Sequence, residues 1–438
     1  MAGVPRFSLG WLYNFITGDE DARVCKDIPD SACRHLPRNF FSYLLANILT
    51  KTADELASAK LILPWLLGTL GTPAGFTGFL VPIREAGVLL PQLFVAAYIR
   101  RLAIRKTVWI AGAIFSSVIM LLMSVIAMRY TGTAAGWIII GLTTIFSLIR
   151  GLSSVATKDV LGKTVSKTRR GTLMGYSAGV AGVATLALGI YIKFYASYMS
   201  GTYLFFWFFV AAGILWLVTT GIIFLIKEEP GATEGGGNAI IVAIQSLAIL
   251  KNDLSFRHFV LARTMLLSVA LVLPFYVLLA QENSSEITGL GLLIIAGGLA
   301  GSLSSPFWGH ICDYSSRLVM VLAAIGAGIT GIITWMLHTI STPVAGSVWI
   351  YTLLFFLISL FHSGIRLGRK VYLVDMSSSE TRASYVAVSN TVIGAAMLIG
   401  GIFGFIADIL NTSSVIGLLG LLSLLSAIYI QRLPNISG

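Results

Sequence analysis

Trp207-Phe208-Phe209-Val210-Ala211-Ala212-Gly213-Ile214-Leu215-Trp216-Leu217-Val218 lies at the centre of a stretch, residues 202–226, without a single charged side chain. A bilayer core about 30 Å thick is crossed by roughly 20 mostly apolar helical residues. A helix of this composition has no polar face to offer water, so its solvent is lipid. Outward from it, comparable runs recur near 40–70, 75–99, 107–128, 135–157 and 172–195 on one side. On the other they recur near 256–280, 288–312, 317–340, 347–374, 384–409 and 413–430. The sequence therefore predicts an all-α membrane protein with twelve transmembrane helices.

Composition agrees. Of 438 residues, 56% are hydrophobic and 11% charged, with a mean hydropathy of +0.87; soluble domains carry about a quarter of their residues as charges. A secreted disulfide scaffold, a disordered tail protein and an ordinary cytosolic enzyme are excluded. The net charge of +11 would point to nucleic acid in a soluble protein. Here it reads as basic cytoplasmic loops, with no nucleic-acid partner. Arg100, Arg101, Arg105, Lys106, Lys163, Lys167, Arg169 and Arg170 fall on one side of the predicted topology, and little beyond Arg129 and Lys193 falls on the other. The expectation is a multi-pass, monomeric protein of the plasma (inner) membrane, embedded in the lipid bilayer with both termini cytoplasmic. Cys25, Cys33 and Cys312 show no CxxC or zinc spacing; they are expected to be incidental thiols, and no metal or cofactor is implied.

Segment 1–38 combines an apolar stretch at 7–16 with acidic residues at 19–21 and lacks the order of a signal peptide; an interfacial amphipathic helix is expected there. Residues 227–255 form a glycine-rich cytoplasmic linker whose later part, 239–250, is too short to span and is expected to lie along the membrane surface. It separates two six-span halves, 39–226 and 256–430, and 431–438 is a cytoplasmic tail.

The halves echo each other. Arg150 precedes Asp159 by nine residues, and Arg366 precedes Asp375 by nine, a displacement of 216 in both cases. Thr168-Arg169-Arg170 is echoed by Thr381-Arg382-Ala383, and Pro91 by Pro306. Four matches in order indicate duplication, and parallel six-helix repeats are one architecture of secondary transporters.

Gly309-His310-Ile311-Cys312-Asp313-Tyr314-Ser315-Ser316-Arg317 resembles the signature loop of the major facilitator superfamily, G-x-x-x-D-x-x-G/S-R, between its eighth and ninth helices. The resemblance implies two pseudo-symmetric six-helix bundles, a cavity lined by helices one, four, seven and ten, and transport by alternating access. The equivalent loop of the first half, around Ala96-Ala97-Tyr98-Ile99-Arg100-Arg101, lacks the glycine and aspartate. The gate latch that the family builds there is therefore expected of Asp313 and Arg317 alone. Arg150 with Gly151 resembles the family's fourth-helix arginine motif, without its glutamine. Gly175, Gly179 and Gly182 resemble the glycine-rich fifth-helix motif of antiporters, without its proline; packing against a neighbouring helix accounts for them equally.

A charge at the centre of a spanning helix costs roughly 2.5–3.5 kcal/mol and is tolerated where it meets water, a partner or a substrate. Spans three, six and twelve contain none, whereas spans one, two, four, seven and ten do. With 100° per residue, Asn47, Thr50, Lys51, Asp54, Glu55 and Ser58 share one broad face of span one, expected to line the cavity, with Lys60 on the opposite side. Lys51 and Glu55 are spaced to pair, which leaves Asp54 as the less committed carboxylate. Asp54 or Glu55 is the first candidate for proton coupling, since a carboxylate that alternates between a dry site and an arginine changes its proton affinity. The competing reading is a structural network of Lys51, Asp54, Glu55, Arg84 and Glu85. His362, one turn before Arg366, is a candidate relay, with packing as its alternative.

Arg150, Arg263 and Arg366 are the leading substrate-site candidates, because guanidinium presents a planar fork to carboxylate or phosphate; Asn47, Lys51, Arg84 and Glu85 join them. Alternatively Arg150 and Arg366 brace the cytoplasmic gate with Asp159 and Asp375 as partners. Gating candidates are Asp159, Arg169, Asp313, Arg317, Asp375 and Arg382. Enzyme signatures are missing: there is no HExxH, the GxSxG at 175–179 falls inside an apolar helix rather than at a strand-to-helix turn, and Gly162-Lys163-Thr164 lacks the first glycine of a phosphate loop, Thr157 standing in its place. The function expected is secondary transport of a small organic solute, with an anion favoured, coupled to protons and directed to efflux. The alternatives are a proton-coupled importer or a non-transporting sensor or assembly factor of the same fold.

Overall fold

The computed structural model describes residues 9–10, 13, 33–91, 99, 101–196, 201–231, 247–283, 286–340, 347–378 and 381–436. Most of segment 1–38 and of the linker, and the greater part of the first-half loop at 96–101, lie outside the described residues. All described regular structure is helical. Ten helices are long and apolar enough to cross a membrane: Lys106–Arg129, Gly132–Thr164, Lys167–Tyr195, Gly201–Leu225, Leu254–Asn283, Ile287–Tyr314, Ser316–Thr339, Val348–Asp375, Ser384–Ile409 and Thr412–Ile430. They correspond in order to predicted spans three to twelve.

Spans one and two depart from that pattern for physical reasons. Span one divides into Leu36–Leu56 and Ile62–Thr69, where the amides of Ala57 and Ser58 turn back to the carbonyls of Asp54 and Glu55. The break re-aims the chain, so Lys60 faces inward and reaches Glu85 at 3.9 Å rather than lying opposite the charged face. Span two is described as Ala74–Leu89. Pro91 follows that helix, whereas Pro306 sits inside Ile287–Tyr314, so these two prolines are not structural equivalents. Span seven is also articulated, into Leu254–Met265, Leu267–Leu271 and Leu273–Asn283; Pro274 has no amide hydrogen to continue the ladder across the second joint.

Spans one to six pack among themselves, as do spans seven to twelve, and the halves meet chiefly along spans two and eleven, five and eight, and one and seven. Asn39 exchanges hydrogen bonds with the backbone of Lys227 at 3.0 and 2.8 Å. Arg317 donates to the carbonyl of Leu433 at 2.7 Å. The start of span one thus shares a face with the end of span six, and the chain end shares one with the turn after span eight. At the opposite end Gln281 donates to the Trp65 carbonyl and the Thr69 hydroxyl, both at 3.0 Å, and the Gly75 amide donates to Asp408 at 2.9 Å. These distal ties align the halves, so both described chain ends lie on one face, here called the terminal face.

Glycines set how closely the halves approach. A Cβ on Gly78 would lie 2.4 Å from the Cα of Gly404, and one on Gly291 would lie 2.8 Å from the Gly189 carbonyl. Both contacts are distal. Toward the terminal face Gly171, Gly175, Gly179 and Gly182 of span five and Gly301 and Gly309 of span eight have nothing within 4 Å of such a position. Closed distally and parted toward the terminal face, the halves enclose a cavity that opens on the side of the chain ends. The antiporter-like glycines of span five therefore border open space instead of packing against a helix.

Cys33 is disulfide-bonded and Cys312 is a buried free thiol, so the expectation of three incidental thiols is corrected; sequence spacing alone does not reveal the bond.

Candidate functional site

A cavity of about 340 Å³ lies at the break in span one, bounded by Asp54, Glu55, Lys60, Arg84, Glu85 and Arg150. Asp54 is its fixed centre. Its carboxylate accepts from Arg84 of span two at 3.2 Å and from Arg150 of span four at 2.7 Å, joining three helices through one side chain. Each guanidinium is backed by an aromatic ring, Arg84 over Phe146 at 4.9 Å and Arg150 over Trp216 at 4.7 Å. These cation–π contacts stabilise charge at depth. Trp216 is thereby engaged by Arg150, a role that spacing along the chain does not encode.

The pairing expected in span one is reversed. Lys51 donates to the Ser177 hydroxyl at 3.2 Å, as Asn47 does at 2.9 Å, so both tie span one to span five. Glu55 makes no hydrogen bond or ion pair among the described residues and is exposed to the cavity. The less committed carboxylate is Glu55, and Asp54 is doubly held. The physical reason is reach across helices: Lys51 is drawn to Ser177 of span five and away from Glu55, and the guanidiniums of spans two and four meet Asp54.

Across the cavity stand Arg366 and Arg369 of span ten. Neither has a hydrogen bond or ion pair among the described residues, and both act electrostatically on Lys60 and Glu85. His362 lies among Lys60, Arg366 and Arg369 with no hydrogen-bond partner there, so no acceptor is positioned to complete a relay. Arg263 is buried and donates to Ser389 at 2.6 Å and Asn390 at 3.0 Å, which braces span seven against span eleven. Asp54, Glu55 and Glu85 balance Lys60, Arg84 and Arg150 in the cavity lining, and Arg366 and Arg369 beside it add positive charge that no carboxylate of the lining pairs with.

The gating candidates arrange themselves otherwise than expected. Arg150 is bound to Asp54, and Asp159 instead pairs with Arg105 at 2.5 Å and with Lys163 at 3.5 Å. Lys163 also meets Glu228 at 2.9 Å, and Glu228 accepts from the amides of Arg105 and Lys106, the first turn of span three. A carboxylate at a helix N-terminus is favoured by the dipole. This cluster at the terminal face of the first half is a second ion-pair network beside that of the cavity, although the loop at 96–101 lacks the family's aspartate.

In the second half Asp313 and Asp375 are exposed without described ion pairs, and Arg317 binds the Leu433 carbonyl rather than Asp313. Arg366 does not reach Asp375. Arg382 approaches the Ser377 hydroxyl at 3.4 Å; Arg169 sits at the first turn of Lys167–Tyr195. Sequence reasoning missed Glu228, whose signal was an acid immediately after a charge-free span, and Asp408, which had none beyond its place at the end of span eleven. Asp253 caps Leu254–Met265 by accepting from the Phe256 amide at 2.9 Å, and the Tyr385 hydroxyl donates to it as well. Burial pushes the Asp253 carboxyl up, but the hydrogen bonds from Tyr385, Phe256 and Ser255 outweigh it and hold the group below the usual carboxylate value.

Two bundles, closed at one end and parted at the other around a charged cavity, define a membrane carrier fold. The sequence model of the Major Facilitator Superfamily matches residues 259–435, within the second half of the chain. The chain is similar in structure to a variant of the nucleoside transporter NupG, with a TM-score of 0.71 and 12% identity over 90% of this chain and 99% of that one. A D-xylose-proton symporter aligns with a TM-score of 0.68 and 14% identity over 91% and 98%. The peptide transporter POT in complex with sulfate aligns with a TM-score of 0.64 and 10% identity over 90% and 94%. No curated protein matches by sequence.

Proposed function

We propose that this chain is a proton-coupled secondary transporter of a small organic anion, with its cavity here open to the cytoplasm at the face of the chain ends. The observation that carries the reading is the division of labour in the cavity. Arg366 and Arg369 are without an ion-pair partner among the described residues beside a charge-balanced cavity lining, while Glu55 is a carboxylate without a cation of its own. A solute anion satisfies the arginines, and a proton on Glu55 removes the negative charge that would repel that anion. Binding of one then favours binding of the other, which supports movement of both in the same direction, so symport takes precedence over the efflux implied by the span-five glycines. Asp54, held by two arginines, serves the architecture.

Counterflow in proteoliposomes, with labelled anionic, neutral and cationic solutes, tests the reading. Exchange of anions alone is expected, and an imposed pH gradient should drive their accumulation. Glu55→Gln should retain counterflow and lose the gradient response. Exchange restricted to cations contradicts the proposal; exchange of nothing favours a sensor or assembly factor; full pH coupling in Glu55→Gln removes the assigned proton site.

A further inference from the structure

The charged cavity is one of two hollows that share Glu55. The other, about 260 Å³, lies between spans one and five and is bounded by Thr52, Leu56, Ala184, Leu188 and Tyr191 together with Glu55. Its surface is almost entirely hydrocarbon. Further along span five toward the terminal face, Gly175, Tyr176, Gly179 and Val183 border an apolar hollow of about 570 Å³, beside the glycines that meet no neighbour. Of the ten crossing helices span five is the least buried, with 22% of its most apolar window covered, against 33% or more for the others. The hollow beside Glu55 offers a polar solute almost no hydrogen-bond partner, and an aliphatic group gains by filling it in proportion to the apolar area covered.

From this juxtaposition we infer that the solute is an amphiphile, an anionic head with a single short aliphatic tail, its head among Lys60, Arg366 and Arg369 and its tail along Ala184 and Leu188 of span five. The inference rests on the anion-transport reading and narrows its substrate class. Charge decides the orientation: Lys60, Arg366 and Arg369 gather on the span-two and span-ten side, and Glu55 marks the boundary between the charged cavity and the hydrocarbon wall. The tail enters between spans one and five of the first half, so both ends of the solute leave water in one step.

Monoalkyl phosphates from methyl to hexyl, all freely soluble, test the inference as competitors of counterflow in proteoliposomes of the full chain. Burial of each methylene strengthens binding by about 0.8 kcal/mol, so apparent affinity is expected to rise about fourfold per carbon. Ala184→Phe, which fills the hollow, and Leu188→Asn, which makes its wall polar, should each flatten that slope; a melting measurement confirms that the variants are folded. Equal affinity for methyl and hexyl phosphate overturns the amphiphile inference while leaving anion transport standing, and so does a slope unchanged in both folded variants. Failure of every alkyl phosphate to compete, in a protein that exchanges other anions, also overturns it. Failure of all solutes to exchange instead removes the transport reading beneath it.

Discussion

At the scale of single residues, Asp54 illustrates how a charge is made tolerable inside a membrane. Two guanidiniums, at 3.2 and 2.7 Å, compensate one carboxylate, and each is backed by a ring. Removing the carboxylate leaves two like charges facing each other, so Asp54→Asn is expected to cost about 3 kcal/mol. The loss is measurable as a lowered melting temperature in detergent. In an Arg150→Gln background the same substitution should cost distinctly less, because one uncompensated partner is gone; strict additivity would show that the triad is not coupled. Asp253 provides a test of pH dependence. Its folded carboxyl lies below the ordinary value, so its contribution is present above the unfolded pKa of about 3.9 and is lost as pH falls through the lower folded value. Tyr385→Phe removes one of the bonds that lower it. Melting curves from pH 6 to pH 3 should therefore fall less steeply at the acid end for that variant than for the parent chain.

At the scale of elements, the distal closure is a contact between backbones. Spans two and eleven cross at Gly78 and Gly404, and a Cβ on Gly404 would lie 2.5 Å from the carbonyl oxygen of Gly75. Neither backbone can yield without moving its helix, so Gly404→Ala should hold the distal ends apart and shift the population toward the state open on that side. A cysteine placed at Thr72 should then react faster with a membrane-impermeant maleimide applied from the distal side, and exchange should slow. An unchanged labelling rate would mean that this crossing does not set the closed state. The Gly75 amide bond to Asp408 and the Gln281 bonds to Trp65 and Thr69 supplement the same closure with polar contacts that water can replace on opening.

At the scale of the whole molecule, charge is distributed unequally between the halves. Every carboxylate that lines the cavity belongs to the first half, while the second brings Arg366 and Arg369 beside it. An anion between them is attracted by the second half and thereby draws the halves together, which links binding to the change of state. Arg366→Gln and Arg369→Gln should each raise the KM for an anionic solute about 10- to 100-fold, the worth of a hydrogen bond to a charged group, with smaller effects on the maximal rate. An unchanged KM in both would place the anion elsewhere.

Much of this molecule was legible in the chain itself. Spans three to twelve, their order and the two-half plan follow from apolar run lengths and from the repeat of Arg150 and Asp159 in Arg366 and Asp375, because the cost of polar groups in lipid acts on each helix separately and so is recorded locally. The resemblance to the facilitator superfamily was likewise visible in residues 309–317, inside the stretch that its sequence model matches. Who pairs with whom was not: Asp54 chose Arg84 and Arg150 over the neighbouring lysine, Asp159 chose Arg105 over Arg150, and Glu55 was left open to the cavity. Pairing energies depend on distances between helices that are far apart in sequence, set by glycine crossings and by the bend at residues 57–61, and only the assembled bundle supplies those distances.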